Sequence, residues 1–239
     1  MLQLHVFGPA FGLPDPSPFC IKGIILMEMS GLPYRQVRGN FRKAPKGKFP
    51  VLHDDGAVIP DTSFIRLHLE QKHGIDFDKG LSAEQRGLAW AVEKMLEDHL
   101  YWLVVHERWA DPANFDRGPR QFFDAVPAPL RPLVIAMVKR QVRRNLHGHG
   151  IGRHGDAERL VLAQRALDSL AGLLGGKPYL TGPDPCGGDA TLGAFMIAGL
   201  CEIFDSPIRG ALAEHANLVA YAQRMRERYF KTDAKAAPA

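Results

Sequence analysis

The chain has 239 residues, with 30 Lys and Arg against 26 Asp and Glu for a formal net charge of +4, and 46% hydrophobic and 23% charged residues. That balance excludes a disordered or collagen-like chain, and at about 150 residues per domain the length allows one large domain or two small ones. The basic excess is even, 10 basic to 8 acidic residues over 1–80 and 20 to 18 over the remainder, so no nucleic-acid partner is expected.

The first third alternates short strands and helices. Leu2 to Phe7 reads as a strand, followed by a loop rich in Gly and Pro over residues 8–16. Apolar residues from Pro18 to Met29 suit a buried helix stopped by Gly31 and Pro33. Residues 34–38 read as a second strand. Phe49 to Leu52 and Ala57 to Ile59 form a hairpin around Asp54-Asp55-Gly56, and Asp61 or Thr62 caps a helix ending near Gly74. After about residue 82 strand signals stop. Leu88, Val92, Met95, Leu96 and Leu103 recur at helical spacing, as do Leu160, Ala163, Leu167, Leu170 and Leu174; further helices are expected over Val134 to Asn145, from Asp189, and over 216–230. Strands first and helices afterwards predict an α/β domain over 1–76 and an all-α domain over 83–230, with a linker around Ile75 to Ala83 and a disordered tail over 231–239.

Ser17-Pro18-Phe19-Cys20 stands where the first loop enters the first helix. Ser at the cap and Pro at the first helical position are what an ordinary helix start uses. A helix N-terminus also presents unpaired N–H groups and the positive end of a dipole, which stabilise an anion such as a thiolate.

The spelling resembles the Cys-Pro-Tyr/Phe-Cys site of glutaredoxin-like proteins and thiol-type glutathione transferases, with the first cysteine replaced by serine. Gly47-Lys48-Phe49-Pro50-Val51-Leu52 resembles that family's Gly-x-Val/Ile-Pro-x-Leu, and Asp61-Thr62-Ser63-Phe64-Ile65 its Glu/Asp-Ser-x-x-Ile motif. Gly188-Asp189-Ala190-Thr191-Leu192 is similar to its Ala-Asp-Ala-x-Leu box, whose aspartate serves folding. His149 to His154, Lys177 to Gly182 and Ser-Pro-Phe-Cys-x-Lys narrow the likeness to the metaxin-like branch, which includes the failed axon connections proteins.

The resemblance implies a thioredoxin-like N-terminal domain followed by an all-helical glutathione transferase C-terminal domain. It further implies that Ser17 hydrogen-bonds the sulfur of glutathione, the substrate, while Lys48, Phe49, Pro50, Asp61 and Thr62 hold the tripeptide, with Phe49-Pro50 cis. Tyr101, Trp102 and His106 would line a pocket for a small hydrophobic electrophile, and Cys20 is a candidate secondary thiol. A homodimer is what the superfamily suggests. The energetics of Ser17 are sufficient: lowering a thiol pKa from about 8.5 by about two units takes roughly 2.7 kcal/mol, and a hydrogen bond to a charged group supplies about 1.5–3. The alternative is a non-catalytic module that uses the same fold to meet protein or membrane partners. The loop over 8–16 is longer than the short turn of ordinary transferases and bears on whether the Ser17 site is open.

Other features point elsewhere and carry less. Gly150-Ile-Gly-Arg-His-Gly155 spells GxGxxG without the preceding strand that a dinucleotide site requires. Three scattered cysteines and a His147, His149, His154 cluster without an acidic partner make neither a disulfide framework nor a metal site, so no metal is expected. No apolar run nears the roughly 18 residues of a membrane span and no secretory pattern opens the chain, so a cytoplasmic protein without a transmembrane segment is expected. Arg35 to Lys48 and Arg131 to Arg144 are basic stretches without an acidic residue; the second, on an amphipathic helix, could meet a membrane or partner.

Overall fold

A computed structural model describes residues 1–40 and 43–230. The tail expected over 231–239, and Arg42 of the first basic stretch, lie outside the described residues. Strand β1 (Leu2–Val6) buries Leu2, Leu4 and Val6 on one face, as the period of two requires. It runs parallel to β2 (Tyr34–Arg38) and antiparallel to β3 (Val51–Asp54), which pairs with β4 (Ala57–Pro60), giving the order β2-β1-β3-β4. The β3–β4 hairpin turns on Asp55 (φ 47°) and Gly56 (φ 89°), both in the left-handed region that the tight primed turns demand. Helix α1 (Pro18–Ser30) connects the two parallel strands and ends on Gly31 at φ 67°.

Helix α2 (Thr62–His73) lays Ile65 and Leu69 into the core. Its last turn is tied to the hairpin through Asp54, which lies at the end of β3 rather than in the turn. His68 Nε2 and His73 Nε2 stand 2.8 Å from Asp54 Oδ2, and Lys72 Nζ 2.9 Å. Burial pushes the Asp54 carboxyl up, but these three partners outweigh it and hold it well below the usual carboxylate range. The cluster has the ligand chemistry of a metal site, and the Lys72 ammonium stands on the same Asp54 oxygen as the two imidazoles.

The segment expected as a linker is packed instead. Phe77 and Asp78 are buried; Asp78 accepts from Arg66 Nη2 at 2.5 Å and from the Gly187 N–H at 3.0 Å, fastening α2 to the helical domain. A Cβ on Gly187 would stand 2.3 Å from the Arg66 guanidinium, so a side chain here would push Arg66 off its present position.

Among the described residues beyond 83 the regular elements are helical. Helix α3 (Ala83–Lys94) opens with a Ser82/Gln85 capping box and runs through a π-helical stretch (Met95–Leu100) into α4 (Tyr101–Trp109), making one long rod of the periodicity seen over 88–103. Helices α5 (Pro112–Arg117), α6 (Arg131–His149), α7 (Asp156–Leu174), α8 (Gly187–Gly199), α9 (Pro207–Ala213) and α10 (Ala216–Tyr229) follow. Helix α8 is buried on all sides, against α1, α3 and α10. Asp189, in its first turn, accepts from Cys186 N and Leu180 N at 2.9 Å and from Tyr221 Oη at 2.7 Å, a folding role. The GxGxxG segment is the end of α6 and a short 3₁₀ turn, with no strand before it.

The two domains meet across a buried ion network. Lys22 of α1, fully buried, places Nζ 3.0 Å from Glu93 Oε1 and 2.6 Å from Glu97 Oε1. Lys94 Nζ lies 2.5 Å from Glu97 Oε2 and 3.3 Å from Glu93 Oε1, and Arg66 Nη1 3.7 Å from Glu93 Oε2. Burial pushes Glu93 up, but the charges of Lys22, Lys94 and Arg66 hold its carboxyl below the ordinary value.

Candidate functional site

A cavity of about 470 Å³ opens between the domains, where α1 begins, the 46–50 loop turns into β3, α2 begins and the α3–α4 rod passes. From the N-terminal domain it is lined by Ser17, Lys46, Lys48, Asp61, Thr62 and Ser63, and from the helical domain by the charged Lys94, Glu97, Asp98 and Arg108 together with Tyr101, Trp102, Val105, Trp109, Phe122 and Phe195.

Ser17 is the N-cap of α1 in extended backbone, and its Oγ accepts from Cys20 N at 3.4 Å. The Ser17 hydroxyl also makes a side-chain hydrogen bond with the Cys20 thiol, and Ser17 lines the cavity at the positive end of the α1 dipole. Ser17 is held from below by Asp15, which is fully buried. Asp15 Oδ2 accepts from Phe7 N at 2.9 Å and Gly8 N at 3.0 Å, and Oδ1 from Ser17 N at 2.9 Å. Sequence reasoning missed Asp15; the signal was an ionisable residue between Pro14 and Pro16 just ahead of a helix cap.

The long 8–16 loop leaves the cavity open. Ala10 and Leu13 exchange backbone hydrogen bonds at 3.2 and 2.9 Å, Phe11 meets Phe204 edge-on, and of this loop only Pro16 reaches the cavity wall.

Burial pushes the Asp15 carboxyl up to about 7, opposed by the Ser17, Gly8 and Phe7 N–H groups and the Cys20 thiol. Because the folded value is raised, the folded protein keeps a proton that the unfolded chain has released between about pH 4 and pH 7. The stability it contributes is therefore complete below about pH 4 and lost as pH rises through about 7. Asp15→Asn is expected to flatten this part of the profile, read as the difference between urea midpoints at about pH 5 and about pH 8. Unchanged slopes in the variant would contradict the assignment.

The Phe49–Pro50 peptide is cis. Phe49 and Pro50 are buried under the cavity while Lys48 and Lys46 are exposed at its rim, Lys46 Nζ lying 4.7 Å from the Phe64 ring centre. Asp61 caps α2, its Oδ1 accepting from Ser63 N at 2.9 Å, and it holds φ at 82°, a strained value for a residue with a side chain. Thr62 is buried in the cavity wall.

Tyr101 and Trp102 also line the cavity, with His149 stacked on Trp102 at 4.8 Å rather than clustered with His147 and His154. Two expectations are corrected. His106 is not part of the wall: at five residues from Tyr101 it has turned about 140° around the helix, and Arg108, at seven, faces inward instead. Cys20 is fully buried, and desolvation with the nearby Asp15 charge pushes its thiol well above the ordinary range, so it presents no thiolate to the cavity.

Comparison with known proteins agrees with this geometry. Residues 18–114 match the family described as glutathione S-transferase N-terminal domain, and residues 163–225 the glutathione S-transferase C-terminal domain. The isoprene-epoxide–glutathione S-transferase of Rhodococcus sp. (strain AD45) is 27% identical, over 96% of this chain and 99% of its own. Failed axon connections of Drosophila melanogaster is 28% identical over 96% of this chain and 58% of its own length, and metaxin-1 of Mus musculus 26% over 99% and 78%. Among solved structures, glutathione transferase GSTFuA3 from Phanerochaete chrysosporium superposes with a TM-score of 0.63 at 15% identity, covering 96% of this chain and 97% of that one. With both halves of the fold matched in order and metaxin and failed axon connections proteins among its relatives, the chain belongs to the glutathione S-transferase superfamily, in its metaxin-like branch.

Proposed function

We propose that the protein binds glutathione against the N-terminal-domain wall of the cavity and conjugates its thiolate to a small apolar electrophile held among the aromatic side chains. The observation that carries this reading is the placement of the Ser17 hydroxyl in the cavity wall at the N-terminus of α1, with the aromatic side chains of Tyr101, Trp102, Trp109 and Phe122 lining the same cavity. Phe49 offers backbone to the cysteinyl part, Asp61 and Thr62 meet the γ-glutamyl end, and Lys48 at the rim meets the glycyl carboxylate; Pro50 shapes the floor beneath them. A relative that shares nearly its full length with this chain is named for an isoprene epoxide, which makes small epoxides the first electrophiles to try. Three unpaired, buried cysteines suit a reducing, cytoplasmic setting in which such conjugation removes reactive compounds. No helix among the described residues is long and apolar enough to cross a membrane.

Homodimerisation would cover the apolar residues Val58, Phe64, Leu67 and Trp90, which are exposed to fractions of 45–55%. A second reading, the non-catalytic interaction module, is favoured by α6: Leu133 and Met137 are 70% and 64% exposed on a helix with five Lys and Arg and no acidic residue.

The test is incubation with glutathione and a panel of small electrophiles, with the thioether adduct detected by mass. Adduct formation above the uncatalysed rate supports transferase chemistry. Glutathione binding without any adduct across the panel favours the interaction module.

A further inference from the structure

The helical-domain wall of the cavity contains one cation that the site's other parts do not explain. Arg108 lies seven, four and three residues from Tyr101, Val104 and Val105, so the four share the cavity face of the α3–α4 rod. Its guanidinium is fixed by three contacts. Nη2 donates to Ala198 O at 2.6 Å, Nη1 to Pro16 O at 3.5 Å, and the Phe204 ring centre lies 4.5 Å from Cζ. Ala198 is near the negative end of α8, and Pro16 immediately precedes Ser17. Among the described residues no carboxylate forms an ion pair with Arg108; that of adjacent Glu107 is turned to Ser206 Oγ and Ile208 N.

A guanidinium carries five N–H donors, and the contacts to Ala198 and Pro16 leave others over. Helix dipole and ring face offset part of its charge without neutralising it. A permanently anionic second substrate would have to shed its water to sit between Tyr101, Trp102 and Phe122. A charge that develops only as bonds rearrange avoids that cost, and stabilising it accelerates the chemical step rather than tightening ground-state binding.

Resting on the transferase reading above, we propose that Arg108 receives the negative charge developing on an oxygen of the electrophile, and that the substrate class is a small apolar epoxide. The glutathione thiolate, its proton already released to solvent, attacks a ring carbon. The C–S bond forms as the C–O bond breaks, and the bonding pair passes to oxygen. The resulting alkoxide, hydrogen-bonded by Arg108, takes a proton from water to give a β-hydroxy thioether and hydroxide.

The experiment compares the protein with Arg108→Gln and Arg108→Lys on two electrophiles, 1,2-epoxybutane and iodoethane, whose leaving group is a halide needing little hydrogen bonding. Arg108→Gln is expected to lower kcat for the epoxide by about 100- to 1,000-fold, the usual cost of losing one oxyanion donor, with KM little changed. Turnover of iodoethane is expected to fall less than about threefold, and Arg108→Lys to retain part of the epoxide rate. Glutathione affinity and the thiolate absorbance of the bound complex stay as in the parent protein. An equal loss on both electrophiles, a weakened glutathione affinity or a lost thiolate signal in Arg108→Gln would overturn the proposal, since the residue would then serve the sulfur or the fold. Turnover of iodoethane but not of the epoxide by the parent protein would also overturn it. Failure of the parent protein to bind glutathione at all is a different result, and removes the underlying reading.

Discussion

Lys22→Met is expected to lower the unfolding free energy by about 3–5 kcal/mol, because it leaves Glu93 and Glu97 buried with less countercharge. Glu93 is fully buried and lines no cavity, so its carboxylate regains no water when the ammonium is removed, while Glu97 is 7% exposed at the cavity wall. Lys94 and Arg66 remain, but Arg66 Nη1 stands 3.7 Å from Glu93, and Lys94 is the more exposed cation, better placed on Glu97. The loss comes from uncompensated charge rather than from the worth of the ion pair itself. The triple variant Lys22→Met, Glu93→Gln, Glu97→Gln is therefore expected to recover much of the stability, by linear extrapolation of urea unfolding monitored through Trp fluorescence. A single variant within about 0.5 kcal/mol of the parent would contradict the burial assigned to this network.

Ser17→Ala is expected to reduce kcat/KM for conjugation by about 10- to 150-fold, which is the removal of about 1.5–3 kcal/mol of hydrogen bonding to a thiolate. The same change strips the cap from Cys20 N, a stability loss of about 0.5–2 kcal/mol. Ser17→Gly separates the two effects, since glycine at a cap costs only a few tenths of a kcal/mol. Conjugation is expected to fall alike in both variants while stability falls chiefly in the first. If conjugation survived in Ser17→Gly, the hydroxyl would be acting through the helix and not on the sulfur.

Much of the fold was legible because the signals are local. The period-two burial of β1, the Asp55-Gly56 turn and the Ser17-Pro18 and Asp61 caps all act within a few residues of where they are spelled. The same spelling opens α5 and α9, where Asp111 and Ser206 accept from Asn114 N and Arg209 N ahead of Pro112 and Pro207, so these two short helices were within reach and were overlooked. The cis Phe49–Pro50 bond was anticipated by family resemblance, and nothing in the local sequence distinguishes it from a trans one.

The residues that escaped notice depend on what packs against them. Lys22 reads as a solvated lysine until α8 and the α3–α4 rod cover it. Asp15 reads as a loop acid until Phe7, Gly8 and Ser17 turn their N–H groups toward it. Helical spacing from Tyr101 was sufficient to select Arg108 over His106.

The binding of glutathione to the cavity is the claim on which the rest depends, and calorimetric titration of the intact protein with glutathione tests it most directly. A saturable, single-site heat with Kd of about 1 mM or tighter, equivalent to about −4 kcal/mol or better, is the expected result. No heat above dilution at about 10 mM glutathione would contradict it.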